Sequence, residues 1–289
     1  MPESPRHPAT PSPRHAAKLF VAAALARSYA RVAWLFRSRS WMIQETVLPV
    51  LAVAAFAYSY QAMLDPRSNP EVAAQYTGLV VLGAAMTTFW LNVLWGMGAA
   101  LYWERDSGNL ELFVMSPAPM MGVLTGMALG GMTTTFVRAT VIATAGVLLF
   151  DVPVNPTSWP LLGLVFFLTL TALYGLGMMF ASVFLRWGRE AWHLVNLLQE
   201  PVYLLTGTNF PVSAIFPKAV AAAATLIPLT AGMDAMRQVL FRTPGIFGVW
   251  EEVAALAVLS VIFLFTARWL LARLERRARE EGKLTVRWQ

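Results

Sequence analysis

YTGLVVLGAAMTTFWLNVLWGMGAALY, residues 76–102, runs for 27 residues without an Asp, Glu, Lys or Arg. About 20 mostly apolar residues in a helix cross the hydrocarbon core of a bilayer, because a helix satisfies its own backbone amides where no water can. The stretch therefore reads as a membrane span, and its neighbours agree. The chain of 289 residues is 57% hydrophobic and 13% charged, with a mean hydropathy of +0.56, too apolar to cover a water-facing surface. Five further stretches read as spans: roughly Met42 to Met63, Met120 to Phe150, Trp159 to Leu185, Leu194 to Leu205 with an irregular continuation, and Val249 to Leu271.

Orientation follows from the basic residues, since Lys- and Arg-rich connections stay in the cytoplasm. Of 22 Lys and Arg residues, 17 lie before the first span, after the sixth, or in the second and fourth connections. Both termini are therefore expected inside, in a multi-pass protein of a bacterial-type plasma (inner) membrane. The same distribution accounts for a pI near 10.0, leaving a nucleic-acid reading nothing to explain. With no cysteine, and with His7, His15 and His193 far apart, disulfides, thiolate metal sites and a spaced histidine motif are all excluded.

Residues 1–18 open with Pro2, Pro5, Pro8, Pro11 and Pro13, and read as a disordered cytoplasmic tail. Residues 19–275 form the membrane domain, and 276–289 a basic cytoplasmic tail. At the start of that domain Leu25, Tyr29, Val32 and Phe36 recur at helical spacing, with Arg27, Arg31 and Ser38 on the opposite side. That pattern predicts a helix lying in the inner-leaflet interface, or else an ordinary basic flank; both put the arginines against lipid headgroups.

The connection after residue 102 is not a plain loop. In Trp103 to Pro119, Leu110, Leu112, Phe113 and Met115 follow the charged run Glu104, Arg105, Asp106, as in a short amphipathic cytoplasmic helix closed by Pro117. Such a helix docks on a soluble partner or rests on the membrane surface. The fifth connection carries Gly207, Pro211, Pro217 and Pro228 between short apolar runs, which predicts re-entrant helices on the outer side. Asp234 and Arg237, three residues apart, are placed to pair on one helical face.

Ionisable groups within spans need a partner or a polar cavity. Arg138 is the strongest of them, as a cavity-lining group for an anionic substrate or as an anchor for a neighbouring helix. Glu45 and Glu200 fall near the cytoplasmic interface. Trp90 and Trp95 could form a stacking surface for a large cargo, and Gly122, Gly126 and Gly130 make a stripe for close helix packing. No Gly-x-x-x-x-Gly-Lys-Ser/Thr loop, Gly-x-Ser-x-Gly elbow or His-Glu-x-x-His pair is present, so the chain has no nucleotide site of its own and no catalytic cluster.

The run Trp103-Glu104-Arg105-Asp106-Ser107-Gly108-Asn109-Leu110-Glu111, followed by Ser116-Pro117, resembles the coupling segment Glu-Arg-x-x-Gly-Thr-Leu-Glu of the type-2 permeases of ABC transporters, with Asn109 in place of the usual Thr. Gly207-x-x-Phe210-Pro211-Val212-Ser213, Pro217, Ile227-Pro228-Leu229-Thr230 and Asp234-x-x-Arg237 are similar to that family's extracellular region between spans five and six. The likeness extends from about Leu25 to Leu271. It implies an all-α fold of six spans with an N-terminal interfacial helix, a cytoplasmic coupling helix and re-entrant extracellular helices. It also implies a dimeric exporter driven by separate ATPase subunits that carry the ATP and Mg, with no cofactor on this chain.

On that resemblance Glu104, Arg105, Gly108, Leu110 and Glu111 couple to the ATPase, while Arg138, Trp90, Glu200, Asn209 and Phe210 are candidates for the translocation pathway. The expected cargo is a hydrophobic drug or lipid-like compound. A polysaccharide or lipid-linked glycan is the alternative, as is a membrane-embedded enzyme acting on lipids. The implied partners are the ATPase, a second permease subunit and the bilayer, with no nucleic acid.

Overall fold

The computed structural model describes residues 13–281 apart from 65–69, 151, 153, 155, 188–189 and 209, and every regular element among them is helical. Helix α1 spans Pro13–Arg37, α2 Arg39–Leu64, α3 Pro70–Leu91; a π-helical segment, Asn92–Gly98, leads into α4, Ala100–Asp106. Then come α5 Leu110–Met115, α6 Met120–Phe150, α7 Trp159–Trp187, α8 Ala191–Thr206, α9 Val212–Ile215, α10 Lys218–Ala224, α11 Pro228–Phe241 and α12 Val249–Glu281.

Five helices are long and apolar enough to cross a membrane, with α3, the π segment and α4 acting as one span over Ala73–Asp106. A sixth is reached if α10 and α11, which meet at a 108° bend, count as one broken span. The fifth expected span, α8, has only 16 residues, about 24 Å of helix against a core of about 30 Å. It ends where Gly207 turns left-handed, at φ 66°.

Helix α7 is central. Val165, Ala172, Leu173, Ala181 and Phe184 are all fully buried along it, packed against α12, the π segment and α11. Long apolar residues on the far side of α2, among them Leu48, Leu51, Phe56 and Met63, stay exposed as a lipid-facing helix requires.

The glycine stripe of α6 receives α1. A Cβ on Gly122 would lie 3.0 Å from the Phe20 carbonyl oxygen, one on Gly126 2.8 Å from Arg27 Cβ, and one on Gly130 2.9 Å from Arg31 Cβ. The two helices thus run side by side in the same direction over this stretch, as small residues permit.

This packing corrects the orientation expected of α1. Leu25, Tyr29 and Phe36 are exposed, whereas Arg27 and Arg31 turn toward the bundle instead of lying free against headgroups. Helix α1 also begins at Pro13, so residues 13–18 of the expected tail are helical, while 1–12 lie outside the described residues. At the other end α12 continues to Glu281, and 282–289 lie outside them.

Candidate functional site

Two neighbouring features carry polar chemistry: the α4–α5 junction and a cavity beside it. At the junction the α4 helix ends at Asp106, so Glu104, Arg105 and Asp106 belong to the last turn of the second span and not to the short amphipathic helix expected to include them. Gly108, at φ 75°, reverses the chain in the left-handed region that only glycine enters without strain. Helix α5 then carries Leu110, 1% exposed, inward, and Leu112 and Met115, 61% and 74% exposed, outward. Ser116 adopts an extended conformation before Pro117, as the residue preceding a proline prefers.

The charged side chains of this turn tie it to three elements. Glu104 forms an ion pair with Arg27 of α1, and its Oε2 accepts a hydrogen bond from Asn109 Nδ2 at 3.1 Å. Asn109, the departure from the family pattern, thus uses its side chain on Glu104 and does not cap α5. Arg105 donates from Nη1 to the Leu185 carbonyl at 3.0 Å, a cation on the last turns of α7 where the helix dipole favours it, and stacks over Tyr102. Arg27 also lies over the Phe113 ring, 5.1 Å from its centroid. The side chain of Glu111 lies outside the described residues.

Arg27 reaches from this junction to a cavity of about 430 Å³ lined by Arg27, Ala30, Arg31, Trp34, Asn92, Met127, Thr134 and Arg138. The π segment shapes it. Its extra residue per turn leaves carbonyls unmatched, and Arg31 donates to one of them, the Gly96 oxygen, at 3.4 Å. Asn92, first in the segment, accepts from Tyr174 OH at 3.2 Å. Burial, and after it the neighbouring Arg31, pull the Arg27 guanidinium below its ordinary range; burial does the same to Arg31, with Tyr174 opposing. Both stay protonated at neutral pH, because guanidinium titrates far above it.

Of the expected pathway residues, Arg138 alone reaches this cavity. Trp90 is packed in the core at 1% exposure, and its indole N–H has no hydrogen-bond acceptor. Trp95 donates to Gln199 Oε1 at 3.3 Å, joining the π segment to α8, and Glu200 sits exposed one residue on. Phe210 packs against Phe216 with ring centroids 6.4 Å apart, remote in the chain from the cavity lining, and Asn209 lies outside the described residues. The sequence reading missed Asn92 and Thr134 as cavity groups and gave Arg27 and Arg31 to lipid. A usable signal was present: Arg27/Arg31 and Thr134/Arg138 are two polar pairs at spacing four, on the two helices that the glycine stripe brings together.

Asp234 and Arg237 do not pair as expected. Arg237, 2% exposed, donates to the Gly207 and Phe210 carbonyls, fastening the end of α8 to α11. Asp234 Oδ2 accepts instead from the Ile246 amide at 2.6 Å and from Gln238 Nε2 at 3.3 Å, and Gln238 also donates to Glu252 at 3.2 Å. The motif is a buried tie among α8, α11 and α12. Among the described residues no group of three or more potential metal ligands occurs.

No curated protein matches this chain. Residues 23–241 match the family model described as ABC-2 type transporter, a range that takes in α1, the glycine stripe, the coupling turn and the Arg237 tie; the chain belongs to that family and is a membrane permease subunit of an ABC transporter.

Proposed function

We propose that this chain is one half of an exporter, in which two permease subunits enclose the pathway and separate ATPase subunits bind α5 from the cytoplasm. The observation that carries this reading is the α4–α5 turn. It presents exposed Leu112 and Met115 at its tip, while its root is fixed by Glu104 to α1 and by Arg105 to α7. A push on α5 therefore reaches two long helices at once, and closure of the ATPase subunits on ATP and Mg would move them as rigid levers. Exposed apolar side chains beside a charged turn suit a groove on a soluble partner.

In this reading Glu104, Arg105, Gly108, Leu110 and Glu111 form the coupling segment, both termini are cytoplasmic, and α9, α10 and the start of α11 are re-entrant on the outer side of a plasma membrane. The bent α10–α11 pair and the short α8 support that last placement. The cargo is a hydrophobic or lipid-like compound, since the spans are apolar and Met-rich and Met adapts to varied shapes. Co-purification with the ATPase tests the assignment: Leu112→Asp with Met115→Asp is expected to lower partner retention at least tenfold while leaving the permease folded. Retention equal to the parent chain's would remove α5 as the docking element.

A further inference from the structure

We propose that the cavity between α1, the π segment and α6 binds the phosphate of an anionic amphiphile's headgroup through Arg27, Arg31 and Arg138. Three guanidinium-bearing side chains line one cavity of about 430 Å³, and its lining, among the described residues, includes no Asp or Glu. Like charges held together in a half-buried space repel, so an anionic occupant lowers the free energy of the folded chain. Guanidinium groups suit phosphate in particular, because their planar donors engage two oxygens at a time. Asn92 and Thr134 add neutral polar contacts, and Trp34, Ala30 and Met127 add an apolar wall suited to the start of a lipid tail.

Depth argues for a headgroup as the source of the phosphate. Tyr58 and Phe150 meet edge to face, and Gly78 packs against Val152, so α2, α3 and α6 are in register at the end of the bundle away from α5. From that level Gly96 is 18 residues along from Gly78 and Gly130 is 20 from Phe150, about 27 and 30 Å of helix. Arg31 lies at the Gly96 and Gly130 level, its Nη2 2.9 Å from where a Gly96 Cβ would stand. A hydrocarbon core is about 30 Å thick, so Arg31 falls at the opposite headgroup layer. Arg138, deeper on α6, reaches the same cavity along its side chain, as long basic residues do near an interface.

Arg27 gives the site a consequence. Its guanidinium pairs with Glu104 of the coupling turn and also lines the cavity, so a bound phosphate competes with Glu104 for the same donors. Occupancy thereby loosens or tightens the hold of α1 on the turn.

The test uses the full chain in detergent without any ATPase, so its outcome is separate from that of the permease reading. Binding of phosphatidylglycerol, phosphatidylcholine and inorganic phosphate would be followed by native mass spectrometry and competition. Phosphatidylglycerol is expected to bind at least tenfold tighter than phosphatidylcholine. Arg31→Gln or Arg138→Gln should each weaken it about tenfold, while Arg31→Lys and the exposed Arg37→Gln should keep most of it. Should Arg138→Gln fail to fold, Arg31→Gln with Thr134→Val carries the same expectation. Unchanged affinity in the folded variants, or equal binding of the two lipids, overturns the site. Inorganic phosphate binding as tightly as the lipid overturns the headgroup assignment.

Discussion

Gly207 shows how a single position can hold the outer architecture in place. Its φ of 66° lies in the left-handed region, and a Cβ there would crowd the Phe210 carbonyl, one of the two that Arg237 ties down. Gly207→Ala is expected to destabilise the chain by about 2 kcal/mol, from left-handed strain plus displacement of that hydrogen bond, read as a lower midpoint in thermal unfolding. A midpoint unchanged from the parent would mean that this tie contributes nothing. The glycine and proline punctuation of this region was legible in the sequence, whereas the partners of Arg237 were not. Spacing of three puts Asp234 and Arg237 within reach of each other, but two buried carbonyls at a helix end compete better for a guanidinium, and the Ile246 amide takes the carboxylate.

At the scale of elements, the spans at Met120–Phe150 and Trp159–Leu185 could be drawn from composition almost to the residue, because lipid imposes a continuous apolar run on any helix that crosses it. Two elements resisted. The π segment at Asn92–Gly98 has no local mark, since its sequence is as apolar as the helix around it and the bulge is set by packing against α7 and Arg31. The facing of α1 was read with its arginines outward, because amphipathicity gives two faces without saying which one meets lipid; here lipid takes the apolar face and the bundle takes the basic one. The glycine stripe decides the matter by admitting only a helix at close approach. Gly126→Leu should separate α1 from α6 at a cost of about 3 kcal/mol by overpacking, lowering thermal stability and raising protease sensitivity within residues 13–37. Equal stability and equal cleavage would show that α1 is held by something else.

For the whole molecule the arrangement is a bundle with a polar mechanical end and a tied, kinked opposite end. Charge counting along the chain assigns the first to the cytoplasm. The absence of cysteine from the 289 residues makes this directly measurable. In sealed cells Ser107→Cys, in the turn before α5, should react with a membrane-impermeant maleimide only after permeabilisation, and Pro244→Cys, in the α11–α12 connection, before it. The reverse pattern would invert the topology. The parts of the account also connect: α5 hangs from Glu104, Glu104 holds Arg27, and Arg27 borders the cavity, so partner and cavity share one ion pair.

The most direct test of that transmission is ATP hydrolysis by the chain reconstituted in vesicles with its ATPase subunit, comparing the parent with Glu104→Gln. Glutamine keeps the shape and the Asn109 contact but removes the charge on Arg27. The account predicts at least a tenfold loss of cargo-stimulated hydrolysis with the assembly still intact; undiminished stimulation in an intact assembly would contradict it.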